Sequence, residues 1–169
     1  TITVKRGGNF IVEDNANGSA ASVPNRFGTA GNRPAVKLDG GTLTLDGPNY
    51  ANTVPQTFGS LTLVAGPSTV NAVRAAGTPE LVFSSFSPAK GSHVNFTGSS
   101  LGSSVNASHI RFESAPAVTG GGGAAGTKTQ SIVAGARSGS DFVTYDSSYG
   151  VRLLAAAEYN QVAGNDANG

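Results

Sequence analysis

The chain contains no cysteine, no methionine and no tryptophan. Without cysteine it can form no disulfide, no thiolate nucleophile and no zinc site with sulfur ligands. The two histidines, His93 and His109, are too few for a metal centre that is built from several imidazoles. We therefore expect no catalytic residues, no cofactor and no metal site.

Charged side chains are also scarce, at 12% of the 169 residues. The 11 Lys and Arg residues nearly balance the 10 Asp and Glu residues, which leaves a net charge of +1. Nucleic acids and anionic membrane surfaces bind concentrated basic fields, and this chain offers none. No stretch approaches the roughly 18 to 20 apolar residues that cross a bilayer. We expect neither a nucleic-acid partner nor a membrane-spanning segment.

The first residue, Thr1, stands inside an alternating segment, TITV, and no basic region followed by an apolar run precedes it. Because translation begins with methionine, we expect a processed chain or a segment of a longer one. The last residues, AGNDANG, are small and polar, as in a linker.

Turn-forming residues are abundant, with 24 glycines and 8 prolines. Helical periodicity is confined to the short window 153–159, LLAAAEY, which is too short to be stable alone. The rest alternates between apolar and polar residues in short runs, which predicts an all-β domain. The predicted strands are Ile2–Val4, Asn9–Val12, Val36–Asp39, Thr42–Leu45, Leu61–Val64, Thr69–Val73, Leu81–Ser84, His93–Thr97, His109–Phe112, Phe142–Tyr145 and Val151–Leu154.

The spacing of apolar residues indicates a repeat. One series of strand residues recurs every 20 positions, at Leu43, Leu63 and Phe83. A second series follows these strands, at Val70, Val94 and Ile110. A repeat of roughly 20 to 25 residues with several short strands is typical of one coil of a β-solenoid. A β-sandwich of short antiparallel strands is the alternative, because it also produces alternation and frequent turns.

Two segments interrupt the predicted repeat. Residues 15–32 read as a long excursion from one coil, and residues 115–140 form a glycine-rich insert. We therefore divide the single domain into solenoid coils over 1–114, the insert over 115–140, and terminal strands with a linker over 141–169. Loops of this length are usually functional or disordered.

Several motifs occur in a recognisable order between about residues 5 and 159. They are KRGGNFIVEDNA with NRFG, then VKLDGGTLTLDG, PQTFGSLTLVAGPSTVNA and HVNFTG, and finally GGGGAAGTKTQSIV and SGSDFVTYDSSYGVRLL. In this order they resemble the autotransporter-associated β-strand repeat proteins of bacteria. The resemblance implies a right-handed parallel β-helix within a long secreted or surface protein, with a structural or adhesive role. It carries no catalytic residues over to this chain.

The run GGGGAAG at 120–126 invites comparison with a phosphate-binding loop, and Lys128 and Thr129 follow it. Such a loop needs a helix directly after the lysine, so that the helix N-terminus holds phosphate. Gly135 and Gly139 break the following segment, so we predict a linker.

Carbohydrate cleavage on a β-helix would need two carboxylates facing one groove. Asp39 and Asp46 flank one hairpin-like element, and Asp141 and Asp146 lie on one segment. Neither pair recurs in neighbouring coils, and aspartate beside glycine is usually a turn residue that bonds the backbone. We predict turn roles for these residues and no enzymatic activity.

The remaining candidates are interpreted structurally. His93 and His109 each begin a strand and are expected at the surface, although stacked strands would bring the imidazoles together. Arg111 and Glu113 are expected to form a solvent-facing ion pair. Tyr145 and Tyr149 could face a partner. The aromatic side chains in strand phase are expected to form a core ladder: Phe10, Phe58, Phe83, Phe86, Phe96 and Phe112.

Open strand edges at the ends of a short solenoid would pair with another chain. The leading functional hypothesis is a non-enzymatic, extracellular or cell-surface bacterial solenoid that forms one repeat of a fibre, stalk or adhesin. Its partners would be neighbouring copies or repeats of itself, end to end, and surface glycans. One alternative is a filament subunit that donates its TITV strand to a neighbour. A carbohydrate-binding or carbohydrate-cleaving β-helix is the other.

Overall fold

Short alternating segments of the sequence form strands in a computed structural model of the chain, which describes residues 1–14, 23–49 and 53–159. The strands are β1 Ile2–Lys5, β2 Asn9–Glu13, β3 Val36–Asp39, β4 Thr42–Asp46, β5 Thr53–Phe58, β6 Leu61–Ala65, β7 Pro67–Val73, β8 Thr78–Phe83, β9 Phe86–Pro88, β10 His93–Gly98, β11 His109–Phe112, β12 Val118–Thr119, β13 Ile132–Val133, β14 Ala136–Ser138, β15 Asp141–Asp146 and β16 Gly150–Leu153. The predicted all-β class is confirmed. The window 153–159, which we expected as a short helix, contains only the 3-10 turn Ala156–Glu158.

The first eleven strands stack in three parallel columns. The first column is β1-β3-β6-β9, the second begins β2-β4-β7-β10, and the third runs β5-β8-β11. The chain passes through one strand of each column and then returns to the first. In the first column Val36 pairs with Leu61, and Leu61 pairs with Phe86, which is a step of 25 residues.

The predicted spacing of 20 residues is wrong as the step between stacked strands. Leu43, Leu63 and Phe83 lie in β4, β6 and β8, which belong to three different columns. The partner of Leu43 is Val70, and the partner of Leu63 is Leu38. The spacing measures the distance around the coil, because strand and turn lengths happen to be similar, and it does not measure the rise from one coil to the next.

Alternation places one face of each strand inside. In β4 the leucines Leu43 and Leu45 are fully buried, whereas the threonines between them are half-buried. In the third column Phe58, Phe83 and Phe112 stack with ring centroids 5.7 Å apart at each step. The predicted aromatic ladder is confirmed, and stacking of this kind adds to the burial of apolar surface.

The stack changes character at its C-terminal end. There β14 continues the second column beside β10, and β16 continues the third beside β11. Between them lies β15, which is antiparallel to both, so that one mixed sheet of ten strands results. The expectation of parallel strands throughout is wrong here, because two tight turns reverse the chain before it can begin another coil. We call β14–β16 the cap.

Antiparallel neighbours throughout, as a β-sandwich requires, are not found in the described residues: all pairs among β1–β11 are parallel.

The described part of the first excursion completes the first coil. Asn25 donates its backbone N–H to the carbonyl of Pro55, and Phe27 stacks on Phe58 with centroids 4.9 Å apart. Residues 23–28 thus take the place of a strand beside β5. Residues 15–22 of the excursion and the predicted linker beyond Tyr159 lie outside the described residues.

The second excursion, residues 115–140, contains regular structure. Strands β12 and β13 form an antiparallel pair in which Val118 faces Val133. The segment then returns to the second column through β14, whose Ala136 pairs with Val94. The insert is therefore a folded flap that leaves the stack after the third column and ends within the cap.

Candidate functional site

The two histidines lie apart from one another in the sheet. His93 opens β10 in the second column and is exposed, whereas His109 opens β11 in the third. The expectation of a surface position is wrong for His109, which is buried. Its Nε2 lies 2.8 Å from the carbonyl oxygen of Ser104, and its ring stacks on Tyr149. The His109 side chain therefore holds the loop that precedes its own strand.

The paired aspartates do not converge on a groove. Asp39 ends β3 and Asp46 ends β4, so the length of β4, about 15 Å, lies between them. Asp146 accepts the backbone N–H groups of Ser148 and Tyr149 at 2.7 and 3.0 Å. This confirms the turn role that we predicted for Asp146.

The predicted ion pair between Arg111 and Glu113 is wrong. Arg111 contacts Glu80 on the neighbouring strand β8 at 3.0 Å, and Glu113 contacts Arg33 at 2.8 Å. Both arrangements join residues about 30 or 80 positions apart in the chain. Strand stacking brings such residues together, and a pattern within one strand cannot reveal it.

The two tyrosines that we proposed as partner-facing have internal contacts. The hydroxyl group of Tyr145 accepts the N–H of Phe112 at 2.9 Å and donates to the carbonyl of Phe112 at 2.7 Å. The ring of Tyr149 stacks on His109. Tyr145 therefore fastens β15 of the cap to the end of β11.

Polar side chains form regular rungs on the outer face of the second column. Thr44 donates to Asn9 at 3.0 Å, and Thr97 donates to Asn71 at 2.8 Å. Each bond joins neighbouring coils on the side that faces solvent. The Thr and Asn residues of the predicted strands thus link one coil to the next.

The glycine-rich run forms ordered turns that lead into β13. No helix follows it, so the phosphate-loop geometry is absent from this described segment. Gly122 donates its N–H to the hydroxyl of Ser131 at 2.9 Å, and Gly126 donates to Oε1 of Glu158 at 2.7 Å. These bonds tie the run down, whereas we predicted a linker.

Glu158 is the centre of a buried clamp, in which four donors bind its two carboxylate oxygens. Oε1 accepts from Arg152 at 2.8 Å and from Gly126, and Oε2 accepts from Arg152 at 2.8 Å and from the N–H of Ala155 at 2.7 Å. The Glu158 side chain is only 1% exposed. We call this set the Glu158 clamp; it joins the glycine-rich run, β16 and the 3-10 turn.

The clamp determines the ionisation of both partners. The hydrogen bond from Arg152 lowers the pKa of Glu158 to about 2, with help from the two backbone donors and against the effect of burial. The same hydrogen bond raises the pKa of Arg152 above its usual value. Both groups are therefore charged at neutral pH, and each compensates the other.

A cleft lies between the glycine-rich run and β15, beside the clamp. Its volume is about 420 Å³. We call it the terminal cleft; its walls include Gly120, Gly121, Lys128, Gln130, Phe142 and Tyr159.

Polar contacts define the orientation of two of its walls. The hydroxyl of Tyr159 lies 3.4 Å from Asp141, and burial together with that carboxylate raises the pKa of Tyr159. Gln130 donates from Nε2 to the hydroxyl of Thr144 at 2.8 Å. Tyr159 and Gln130 therefore present fixed side chains to the cleft.

Metal-binding chemistry and membrane insertion were also considered. Within residues 1–14, 23–49 and 53–159, no group of three or more His, Asp or Glu side chains is placed to hold a metal ion. The described residues also include no helix with the length and apolar content that a bilayer crossing requires.

No protein-family model, curated protein or solved structure matches this chain. The resemblance to autotransporter-associated repeat proteins therefore stays a prediction.

Sequence reasoning missed the Glu158 clamp and the terminal cleft. The clamp joins residues 126 and 152–158, and no short motif contains both segments. One signal was present in the sequence: Glu158 follows Ala155 by three residues at the start of a short helical window, and glutamate at that position commonly accepts the N–H at the helix start.

Proposed function

We propose that this chain is a non-enzymatic structural and adhesive module, a segment of a right-handed parallel β-helix that belongs to a bacterial extracellular or cell-surface fibre or stalk. The observation that carries the proposal is the in-register stacking of three columns, with Phe58, Phe83 and Phe112 in contact along one of them. Each coil buries its apolar face only against its neighbours, which is the architecture of an extended, stiff protein.

The edge of the first coil supports an end-to-end role. Strands β1 and β2 stand at the margins of their sheets, and each pairs with a strand on one side only among the described residues. Their free N–H and C=O groups can continue the ladder with the strands of another coil. A neighbouring repeat, in the same chain or in another copy, is the partner that fits this edge.

Donation of the TITV strand to a neighbour is less well supported. Residues Ile2–Lys5 form β1, which pairs with β3 of the same chain along its whole length. A donated strand would first have to leave that position and expose Leu38, which is fully buried. Pairing through the open side of β1 needs no such rearrangement.

The roles of the acidic side chains support a non-catalytic assignment. Glu80, Glu113 and Glu158 each bind an arginine, and Asp146 holds a turn. A carboxylate that is fixed by a structural partner contributes to the stability of the coil stack and is poorly suited to proton transfer at neutral pH.

Insertion of one coil tests the architecture. A second copy of residues 61–85 is placed between Ser85 and Phe86, because stacked residues of the first column are 25 positions apart. We expect cooperative urea unfolding with an increased m-value, since a longer stack exposes more surface when it unfolds.

The control is the same insertion without Thr62 of the added copy, which reverses the inward-facing side of one strand. We expect it to destabilise the protein strongly. Loss of cooperative unfolding in both insertions would contradict the stacked-coil architecture.

Location is tested on intact cells of the source bacterium. Antibodies against the purified chain are used for immunogold electron microscopy, and we expect label along fibres or stalks on the cell surface. Label confined to the cell interior would overturn the proposed function.

A further inference from the structure

We propose that the terminal cleft binds a sugar unit of a polysaccharide and prefers a sugar that carries a carboxylate. This inference extends the adhesive role but does not depend on the stacking of coils, because the cleft is formed by the flap and the cap. Three features of the cleft lead to this ligand class: an exposed aromatic ring, a free cation and a rigid loop.

The exposed ring is Phe142. In β15 the next residue, Val143, is fully buried, so Phe142 points outward, where 53% of its surface is exposed. An outward-facing phenylalanine leaves a large apolar surface in water, and such surfaces often mark binding sites. Tyr159 lines the same cleft. The apolar face of a pyranose ring packs against aromatic rings of this kind.

The free cation is Lys128. It is exposed and has no hydrogen-bond or ion-pair partner within the described residues. The other carboxylate that lines the cleft, Glu158, is already neutralised by Arg152. Asp141 lies behind Tyr159 and contacts its hydroxyl group. Lys128 is therefore available to a carboxylate of the ligand.

The rigid loop is the glycine-rich run. The bonds of Gly122 to Ser131 and of Gly126 to Glu158 fix its shape on the side of the cleft that faces Phe142. Gln130 donates to Thr144, and its side-chain carbonyl remains available to accept a sugar hydroxyl group. A site that is ordered before binding loses less entropy when the ligand binds.

Isothermal titration calorimetry with trigalacturonate, cellotriose and maltotriose tests the proposal on the full chain. We expect trigalacturonate to bind several-fold more tightly than the two neutral sugars. Phe142→Ala should reduce the affinity for every bound sugar at least tenfold. Lys128→Gln should reduce the affinity for trigalacturonate alone, to about that of the neutral sugars.

Matched controls come from exposed residues outside the cleft. Val64→Ala removes an exposed apolar side chain from β6, and Lys90→Gln removes an exposed charge; neither should change the affinity. Because Phe142 and Lys128 point to solvent, their variants should retain the unfolding midpoint of the parent protein. Absence of heat with all three sugars at millimolar concentration, or equal affinity in Phe142→Ala and the parent, would overturn the sugar site and leave the coil-insertion result unaffected.

Discussion

At the scale of single residues, two glycines allow the backbones of separate segments to approach closely at the cap. Gly150 has a φ of +84°, and a β-carbon there would meet the carbonyl oxygen of Ile110 on β11. Gly102 has a φ of +61° and lies in the same way against the carbonyl oxygen of Val151. A side chain at either position would disturb both its own backbone and its neighbour.

Gly150→Ala should destabilise the protein by about 2–4 kcal/mol, because it adds a steric conflict with β11 to the cost of a positive φ. Gly139→Ala is the matched control, since Gly139 has a φ of +61° and nothing within 4 Å of its missing β-carbon. The control should cost about 1 kcal/mol. Urea denaturation measures both free energies, and equal losses would show that the approach of Ile110 is not limiting.

Glu158→Gln should destabilise the protein by about 3 kcal/mol at pH 7, because the buried guanidinium of Arg152 loses its compensating charge. The comparison variant is Glu113→Gln, whose side chain is 48% exposed and whose ion pair with Arg33 should contribute less than about 1 kcal/mol. Urea denaturation of the two variants measures the difference, and similar losses would contradict the clamp.

The pH dependence of stability provides a second test of the clamp. The pKa of Glu158 falls from 4.5 to about 2 on folding, so its carboxylate stabilises the folded state above pH 4.5. That contribution is lost as the pH falls through about 2. The free-energy difference between the parent protein and Glu158→Gln should therefore narrow between pH 5 and pH 2, and a constant difference would contradict the lowered pKa.

At the scale of elements, β15 distinguishes the cap from the coils. It is held to β11 by the hydroxyl group of Tyr145, which bonds both backbone groups of Phe112. Elsewhere a neighbouring strand supplies such bonds. A single side chain here replaces the strand that a further coil would have provided.

Tyr145→Phe should cost about 1–3 kcal/mol, because the N–H and C=O groups of Phe112 lose their partner. Tyr149→Phe removes a hydroxyl group that makes no hydrogen bond within the described residues, and it should change stability by less than about 0.5 kcal/mol. Thermal unfolding followed by circular dichroism compares the variants. Equal midpoints would show that Tyr145 does not fasten the cap.

The sequence was most informative for strands with clean alternation. The bounds of β3 and β11 are as predicted, since their apolar residues face one side and turn residues follow. Strand β5 was missed because Pro55 within it argues against a strand. The proline is tolerated because β5 stands at the margin of its sheet.

The terminal cleft and the cap could not be predicted from local patterns. Phe142 and Val151 lie in predicted strands, but alternation gives no direction of pairing, and their segments pair antiparallel. The direction depends on two turns, of which one is fixed by the hydrogen bonds of Asp146. Pairing between distant segments is a property of the folded chain.

At the scale of the whole molecule, protection should increase from the margins of the stack to its interior. Strand β7 has a parallel partner on each side, whereas β1 has one and β12 pairs only with β13. Amide hydrogen exchange should therefore be slowest in β4 and β7 and fastest in β1 and β12. The measurement is made by mass spectrometry of peptides, and uniform exchange rates would contradict a graded stack.

The cap also gives the stack a polarity. A column that ends in β15 presents a reversed strand, so a parallel coil cannot be added on that side without displacing it. Growth by equivalent units is then vectorial, from the side of β1 and β2 alone. Two copies joined there through identical edges would make a closed pair with a cap at each extremity, whereas an indefinite head-to-tail polymer would first require the reversed strand to be peeled away.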